Sequence, residues 1–207
     1  MQQRSPEWYA ARCGKATGSR ISDIVARTKT GYAASREDYM FQLVIERLTN
    51  EVEKTFSSAA MDWGVEQEVY ARAQYEAHMG VLIQEVGSID HPRIAMSSAS
   101  PDGLVIGTKG MIEIKCPMSK NHLNMFLGKP IAKAYMDQMM WQMAVTGSEW
   151  VDYVSFDPRV PVGLQLFIQT IPRDDKYIAE LEAEVEKFLA EVSEKEANLR
   201  RILESKI

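Results

Sequence analysis

The chain has 207 residues, enough for one domain with a sizeable core and too few for two comfortable ones. Hydrophobic residues make up 45% and charged residues 26%, which excludes a disordered chain, a fibrous repeat and a disulfide scaffold. The formal net charge of −5 argues mildly against a nucleic-acid partner, but the charge is segregated. Residues 1–31 hold six Lys/Arg against two acids, and residues 109–133 hold five Lys against Glu113. Residues 173–207 carry seven basic and ten acidic side chains. No apolar run approaches the ~20 residues of a membrane span, and residues 1–7 have no secretory h-region. Cys13 and Cys116 form no CxxC pair, so a reduced, cytoplasmic protein without a membrane partner is expected.

In chain order, Thr17 or Ser19 can cap a short helix to about Ala26, and Thr28–Tyr32 reads as a loop. Ser35-Arg36-Glu37-Asp38 resembles a capping-box start for a helix to about Leu48. A longer helix is predicted from Ser58 to Met79, closed by Gly80. Strands follow at Val81–Glu85, Ile94–Ser98, Leu104–Ile106 and Met111–Cys116, the last two joined by a turn at 107–110. Helices are expected at 119–127 and 133–146, then strands at Trp150–Phe156 and Leu164–Ile171. Asp174–Glu204 steps its apolar residues by three or four and reads as a long amphipathic helix. This order suits an α/β domain with a central mixed β-sheet flanked by helices. It is read as a single domain over 1–207, with its core at about 7–172.

The chemistry concentrates between residues 100 and 115. Ser100-Pro101-Asp102-Gly103 precedes one strand, and Glu113-Ile114-Lys115 lies in the next. Side chains alternate along a strand, so Glu113 and Lys115 share a face that Ile114 avoids. The hairpin can bring Asp102 beside Glu113. Two carboxylates and one ammonium suit phosphodiester hydrolysis with Mg²⁺, which needs few protein ligands and acidifies a bound water. Lys115 could orient that water, accept its proton if its pKa is lowered, or stabilise developing charge. An acid-x-Lys triplet is weak by itself, since Asp174/Lys176 and Glu204/Lys206 repeat it. Ser-Pro-Asp-Gly also reads as a plain β-turn.

Six pieces in order make the chain resemble a family. They are Glu7-Trp8-Tyr9-Ala10-Ala11-Arg12 with Gly18-Ser19; Trp63-Gly64 with Glu68; Ser100-Pro101-Asp102-Gly103; Glu113-Ile114-Lys115-Cys116-Pro117; Ala134-Tyr135-Met136-Asp137-Gln138; and Asp157-Pro158-Arg159. Over about residues 7–178 the sequence resembles the lambda-type alkaline exonucleases, the YqaJ-like viral recombinase branch of the PD-(D/E)xK nuclease superfamily. The resemblance implies a restriction-endonuclease-like core followed by a long C-terminal helix. It implies a processive 5′→3′ exonuclease on double-stranded DNA that releases 5′-mononucleotides and leaves a 3′ overhang. Mg²⁺ is the implied cofactor, two ions per site, with Mn²⁺ able to substitute. Asp102, Glu113 and the Ile114 carbonyl would hold the first ion, and Glu68 would serve the second. Lys115 matches the catalytic lysine, and Gln138 the superfamily's helix glutamine.

The resemblance assigns Arg12, Ser19, Ser100 and Gln138 to the 5′-phosphate of a duplex end. Charge-assisted arginine contacts and short hydroxyl hydrogen bonds fit that ligand. From spacing alone Glu68 is a solvated helix residue, Arg12 a surface arginine and Ser19 an N-cap. Gln142, one helical turn after Gln138, reads as a surface or capping residue. Two expected DNA contacts depart from the family: Lys29 stands for an arginine, and Met61 for a leucine that helps wedge the strands apart. Trp8, Trp63, Trp141 and Trp150 are read as core or interface aromatics. His78, His91 and His122 lack metal spacing. Cys116 is read as packing that alternates away from the site. The family also implies a ring-shaped homotrimer, a phage-type single-strand annealing partner, and a phage or prophage gene in a bacterial host. The acidic C-terminal helix is a candidate docking face or a core-packing helix. A PD-(D/E)xK endonuclease and a catalytically silent DNA-binding recombination accessory protein are the rival readings.

Overall fold

A computed structural model describes residues 2–53 and 58–206. Helix α1 (Pro6–Arg12) starts with Ser5 accepting from the Trp8 amide and proline in the first turn, where a missing N–H costs nothing. Strand β1 (Ala16–Thr17) runs into a 3₁₀ turn (Gly18–Arg20) and α2 (Ile21–Val25). Ser19 therefore lies inside the turn and caps nothing, and Thr17 makes no side-chain cap bond either. The stretch expected as a loop closes into a small hairpin, β2 (Arg27–Thr28) and β3 (Gly31–Tyr32). Helix α3 (Ala34–Thr49) begins one residue before Ser35, so the capping-box pattern is not used as a cap.

Helix α4 (Ala59–Met79) lies where the sequence places it. Ser58 accepts from the Met61 amide, and Gly80 closes the helix at φ +67°. Five short strands follow: β4 (Ile83–Gln84), β5 (Ile89–Asp90), β6 (Ser97–Ala99), β7 (Gly103–Val105) and β8 (Gly110–Lys115). Strand β5 has no counterpart in the sequence reading, being two residues in a polar stretch. Helices α5 (Ser119–Phe126) and α6 (Lys133–Thr146), strands β9 (Trp150–Phe156) and β10 (Leu166–Pro172), and helix α7 (Asp175–Glu204) complete the chain.

The main sheet has the order β10-β9-β8-β7-β4 and is mixed, because β8 and β9 are parallel while the other pairs are antiparallel. A second sheet, β1-β6-β5, leads directly into Ser100. Strand alternation sorts the apolar residues into two cores. Met111, Val151 and Tyr153 join α2, α3, α6 and α7 on one side. Ile112, Ile114, Val154 and Phe156 meet Ala71 and Tyr75 of α4 on the other. Glu113 shares the face of Met111 and so points toward α6. Gly110 opens β8 against the Trp150 ring; a methyl there would lie 2.0 Å from that ring, so only glycine fits.

Helix α7 is a core-packing helix: Ile178, Leu181, Val185, Phe188, Leu189 and Val192 are buried. Four of its acids are paired with other elements, Glu182 with Arg93 and His91, Glu184 with Arg27, Glu191 with Arg36 and Glu196 with Arg47. No helix among the described residues is long and apolar enough to cross a membrane.

Candidate active site

The C-terminal end of β8, the turn before β7 and the first helices meet at a cleft of about 550 Å³. Asp102, Glu113, Ile114, Lys115, Glu68 and Gln138 line it, together with Arg12, Ser19, Ser100 and Met61. Eleven site positions were expected from sequence, and ten of them line this one hollow. The exception is Lys29, exposed at the tip of the β2–β3 hairpin and outside the cleft lining.

Glu113 is almost fully buried, and three donors hold its carboxylate. Oε1 accepts from Lys115 Nζ at 2.5 Å and from Gln138 Nε2 at 2.6 Å. Oε2 accepts from Gln142 Nε2 at 2.7 Å. Asp102 Oδ2 accepts from the Ile114 amide at 2.7 Å, the contact that fixes the turn to the catalytic strand. Burial and the carboxylates of Glu113 and Glu68 hold the Asp102 carboxyl well above its ordinary range, against Lys115 and the Ile114 amide. Desolvation pulls on the Lys115 ammonium, but Glu113 and Asp102 outweigh it and raise its pKa. With the Glu113 and Asp102 carboxylates beside it, the Lys115 ammonium is held in its charged form.

Glu68 reaches the cleft from α4. Its Oε2 accepts from Arg4 at 2.9 Å and its Oε1 from Arg72 at 3.1 Å. Among the described residues no three His, Cys, Asp or Glu side chains form a metal cage by themselves. The donor chemistry nevertheless suits a hard divalent ion. Three carboxylates crowd closely enough to raise Asp102, and Mg²⁺ takes one or two carboxylates and fills its remaining positions with water and phosphate.

On the other side of the cleft Trp8, Arg12 and Ser100 are held together. Ser100 Oγ accepts from Trp8 Nε1 at 3.0 Å and from Arg12 Nη1 at 3.1 Å. Arg12 lies over the Trp8 ring at 4.0 Å, as residues four apart on one helix face can. Ser19 is exposed to the same hollow. A second hollow of about 740 Å³ adjoins it, sharing Arg4, Trp8, Arg12, Ser19 and Met61 and adding Lys15 and Arg20.

Several residues differ from their sequence reading. Trp8, read as a core or interface aromatic, is a half-buried cleft-wall residue bonded to Ser100; its i, i+4 relation to Arg12 is the available signal. Trp141 is core, and Trp63 stacks under Arg159, which also binds Asp157 and the Pro117 carbonyl. Gln142 is 1% exposed rather than on the surface. Cys116 packs against the second core yet also lines the cleft, because β8 ends at Lys115 and alternation no longer governs it. Burial and then Glu68 and Asp102 push its thiol up to about 12. Arg4, at φ +65° beside a Gln3 anchored on the Pro101 and Val86 carbonyls, had no signal in the sequence.

The model of the YqaJ-like viral recombinase domain matches residues 7–149. The chain belongs to this family. LHK-Exo in complex with dAMP is 46% identical, with a TM-score of 0.90 over 98% of this chain and 100% of that one. The alkaline exonuclease LHK-Exo from Laribacter hongkongensis is 47% identical, with a TM-score of 0.89 over the same shares. A phage-related exonuclease from Haemophilus somnus 129PT shares the fold at 14% identity, with a TM-score of 0.65 over 87% of this chain and 96% of that one. No curated protein matches the chain. Family membership and these structures make it a nuclease of phage-type recombination with an alkaline-exonuclease fold.

Proposed function

We propose that the protein is a divalent-metal-dependent 5′→3′ exonuclease on double-stranded DNA, releasing 5′-mononucleotides and leaving a 3′ single strand. One observation carries this reading: the Arg12–Ser100 anion site and the Asp102–Glu113–Lys115 group line the same cleft. A 5′-terminal phosphate held by Arg12, Ser19, Ser100 and Gln138 leaves the following phosphodiester for the carboxylates, which sets the polarity. Asp102, Glu113 and the Ile114 carbonyl would hold one Mg²⁺ or Mn²⁺ and Glu68 would serve a second. When bound, the metal supplies an acidified water and offsets charge on the attacked phosphate.

The chain's own residues do the rest. Gln138 bonds both Glu113 and Lys115 and so fixes their relative placement. Lys115, bonded to Glu113 Oε1, would orient the attacking water or stabilise charge that develops on the phosphate oxygens. Met61, 57% exposed at the start of α4 and lining the cleft, would serve as an apolar wedge against the end of the duplex. Arg4 would exchange Glu68 for a phosphate as metal enters.

A copy of 207 residues is too small to surround a duplex, so processivity calls for a ring, which we assign to a homotrimer with a heterologous interface. An annealing protein that takes up the 3′ strand is the expected partner, in the bacterial cytoplasm under a phage or prophage gene. The deciding assay digests 5′- and 3′-labelled linear duplexes and a closed circle, with and without Mg²⁺. Early release of the 5′ label with an intact circle is expected. Cutting of the circle, or digestion without metal, overturns the reading.

A further inference from the structure

Helix α6 buries a continuous run from Met139 to Val145, and every member but one is apolar. The exception is Gln142, and a buried amide in such surroundings is costly unless it is bonded. Its Nε2 donates to Glu113 Oε2 at 2.7 Å, while its Oε1 is buried and has no hydrogen-bond partner among the described residues. Among the described residues it is the one side-chain donor to Oε2, since Lys115 and Gln138 both use Oε1. On its other side Gln142 meets the turn that carries Ser19: a methyl on Gly18 would lie 3.7 Å from the Gln142 side chain. The amide thus stands between the carboxylate and the turn that carries Ser19.

We propose that Gln142 is a positioning residue that locks the Glu113 carboxylate in the orientation that receives the divalent metal. This rests on the metal-dependent reading above. Without the Nε2 donor the carboxylate can rotate about its last bond, held on one oxygen only. A carboxylate oxygen has two acceptor directions, so Gln142 and a cation can share Oε2 without competing. Hydrogen-bond partners of this kind change metal affinity by roughly 10–100-fold when removed.

The test titrates Mn²⁺ into the full-length protein without DNA and follows free Mn²⁺ by electron paramagnetic resonance. Two variants are compared with wild type. Gln142→Met fills the space with no donor, and Gln142→Asn keeps an amide that is one methylene too short. Thermal melting, and binding of a 5′-phosphorylated duplex in EDTA, report the fold and the anion pocket. Both variants are expected to bind Mn²⁺ roughly tenfold or more weakly, with the EDTA duplex affinity within about twofold of wild type. A folded variant of either kind with wild-type or tighter Mn²⁺ affinity overturns the proposal. Glu113→Gln separates the two levels of argument. If wild type binds no Mn²⁺, or Glu113→Gln binds it as well as wild type does, the metal reading fails and takes the role of Gln142 with it.

Discussion

Arg12 offers the sharpest test of how the protein knows a 5′ end. Its guanidinium is held before any DNA arrives, over Trp8 at 4.0 Å and on Ser100 Oγ at 3.1 Å. Burial lowers its pKa, but a guanidinium stays charged at any working pH. Because the side chain is already ordered, little rotamer entropy is left to lose when phosphate binds. A charge-assisted hydrogen bond is worth about 1.5–3 kcal/mol. At 1.4 kcal/mol per decade, Arg12→Ala should lower the preference for 5′-phosphate over 5′-hydroxyl ends by roughly 10–150-fold. Arg12→Lys should fall between, keeping the charge and losing the planar fork. The assay is competition between the two end types in one tube, read as the ratio of their kcat/KM values. Lys29→Ala, at the hairpin tip, should leave that ratio unchanged. A folded Arg12→Ala protein with the wild-type ratio would refute the assignment, and a shift with Lys29→Ala would move the pocket.

Glu113→Gln or Lys115→Ala should abolish cutting, a loss of at least ~10²-fold in kcat for removing a group that faces developing charge; an active, purified variant would sink the site. Gly110→Ala drives a methyl into Trp150 and should cost about 1–3 kcal/mol by urea denaturation; an unchanged midpoint would contradict the packing at the start of β8. Cys116, its thiol raised to about 12, should stay protonated at pH 8 and alkylate more slowly than a free cysteine, speeding up only as pH climbs toward that value. Fast iodoacetamide labelling of the native chain would refute that environment. Duplex affinity should fall with rising salt as phosphate contacts release counterions, and a flat log–log plot of affinity against salt would remove the basic cleft residues as the DNA track.

The long elements were legible because their signals are local and repeated. Helix α4 has Ser58 at one end and Gly80 at the other, and α7 carries its apolar stripe for 30 residues. Short pieces were not. Two-residue strands such as β1 and β5 exist because partners distant in sequence complete them, Ala16 pairing with Ser97 and Ile89 with Ala99. The Asp102–Glu113–Lys115 group could be anticipated from a hairpin and strand alternation. Gln142 could be placed on the Gln138 face by helical spacing, yet its burial depends on Gly18 and Glu113, which spacing along α6 does not report. Arg4 reaches Glu68 only through a left-handed residue and the Gln3 anchors, so no periodicity marks it.

The charge segregation gains a physical meaning from the fold. Four acids of α7 pair with Arg27, Arg36, Arg47 and Arg93, so much of the C-terminal negative charge is neutralised inside the chain. The same pairing consumes Arg27 from the basic N-terminal segment. What that segment sends to the two hollows is Arg4, Arg12, Lys15 and Arg20. Lys15 is paired with an exposed Asp90 and Arg20 with Asp23, contacts that phosphate can replace at little cost near water. The net charge of −5 therefore says little about the field a DNA end would meet, which is set locally by Arg4, Arg12, Lys15, Arg20 and Lys115 and by Glu46, Glu53, Glu68, Asp102 and Glu113 around the two hollows. Two divalent ions held by Asp102, Glu113 and Glu68, as proposed above, would outweigh those three carboxylates and reverse the local sign. DNA-end affinity should accordingly rise when Ca²⁺, a cation of the same charge, is added to the protein in place of EDTA. The increase should shrink in Glu113→Gln, and an equal increase in both proteins would show that the cation acts elsewhere.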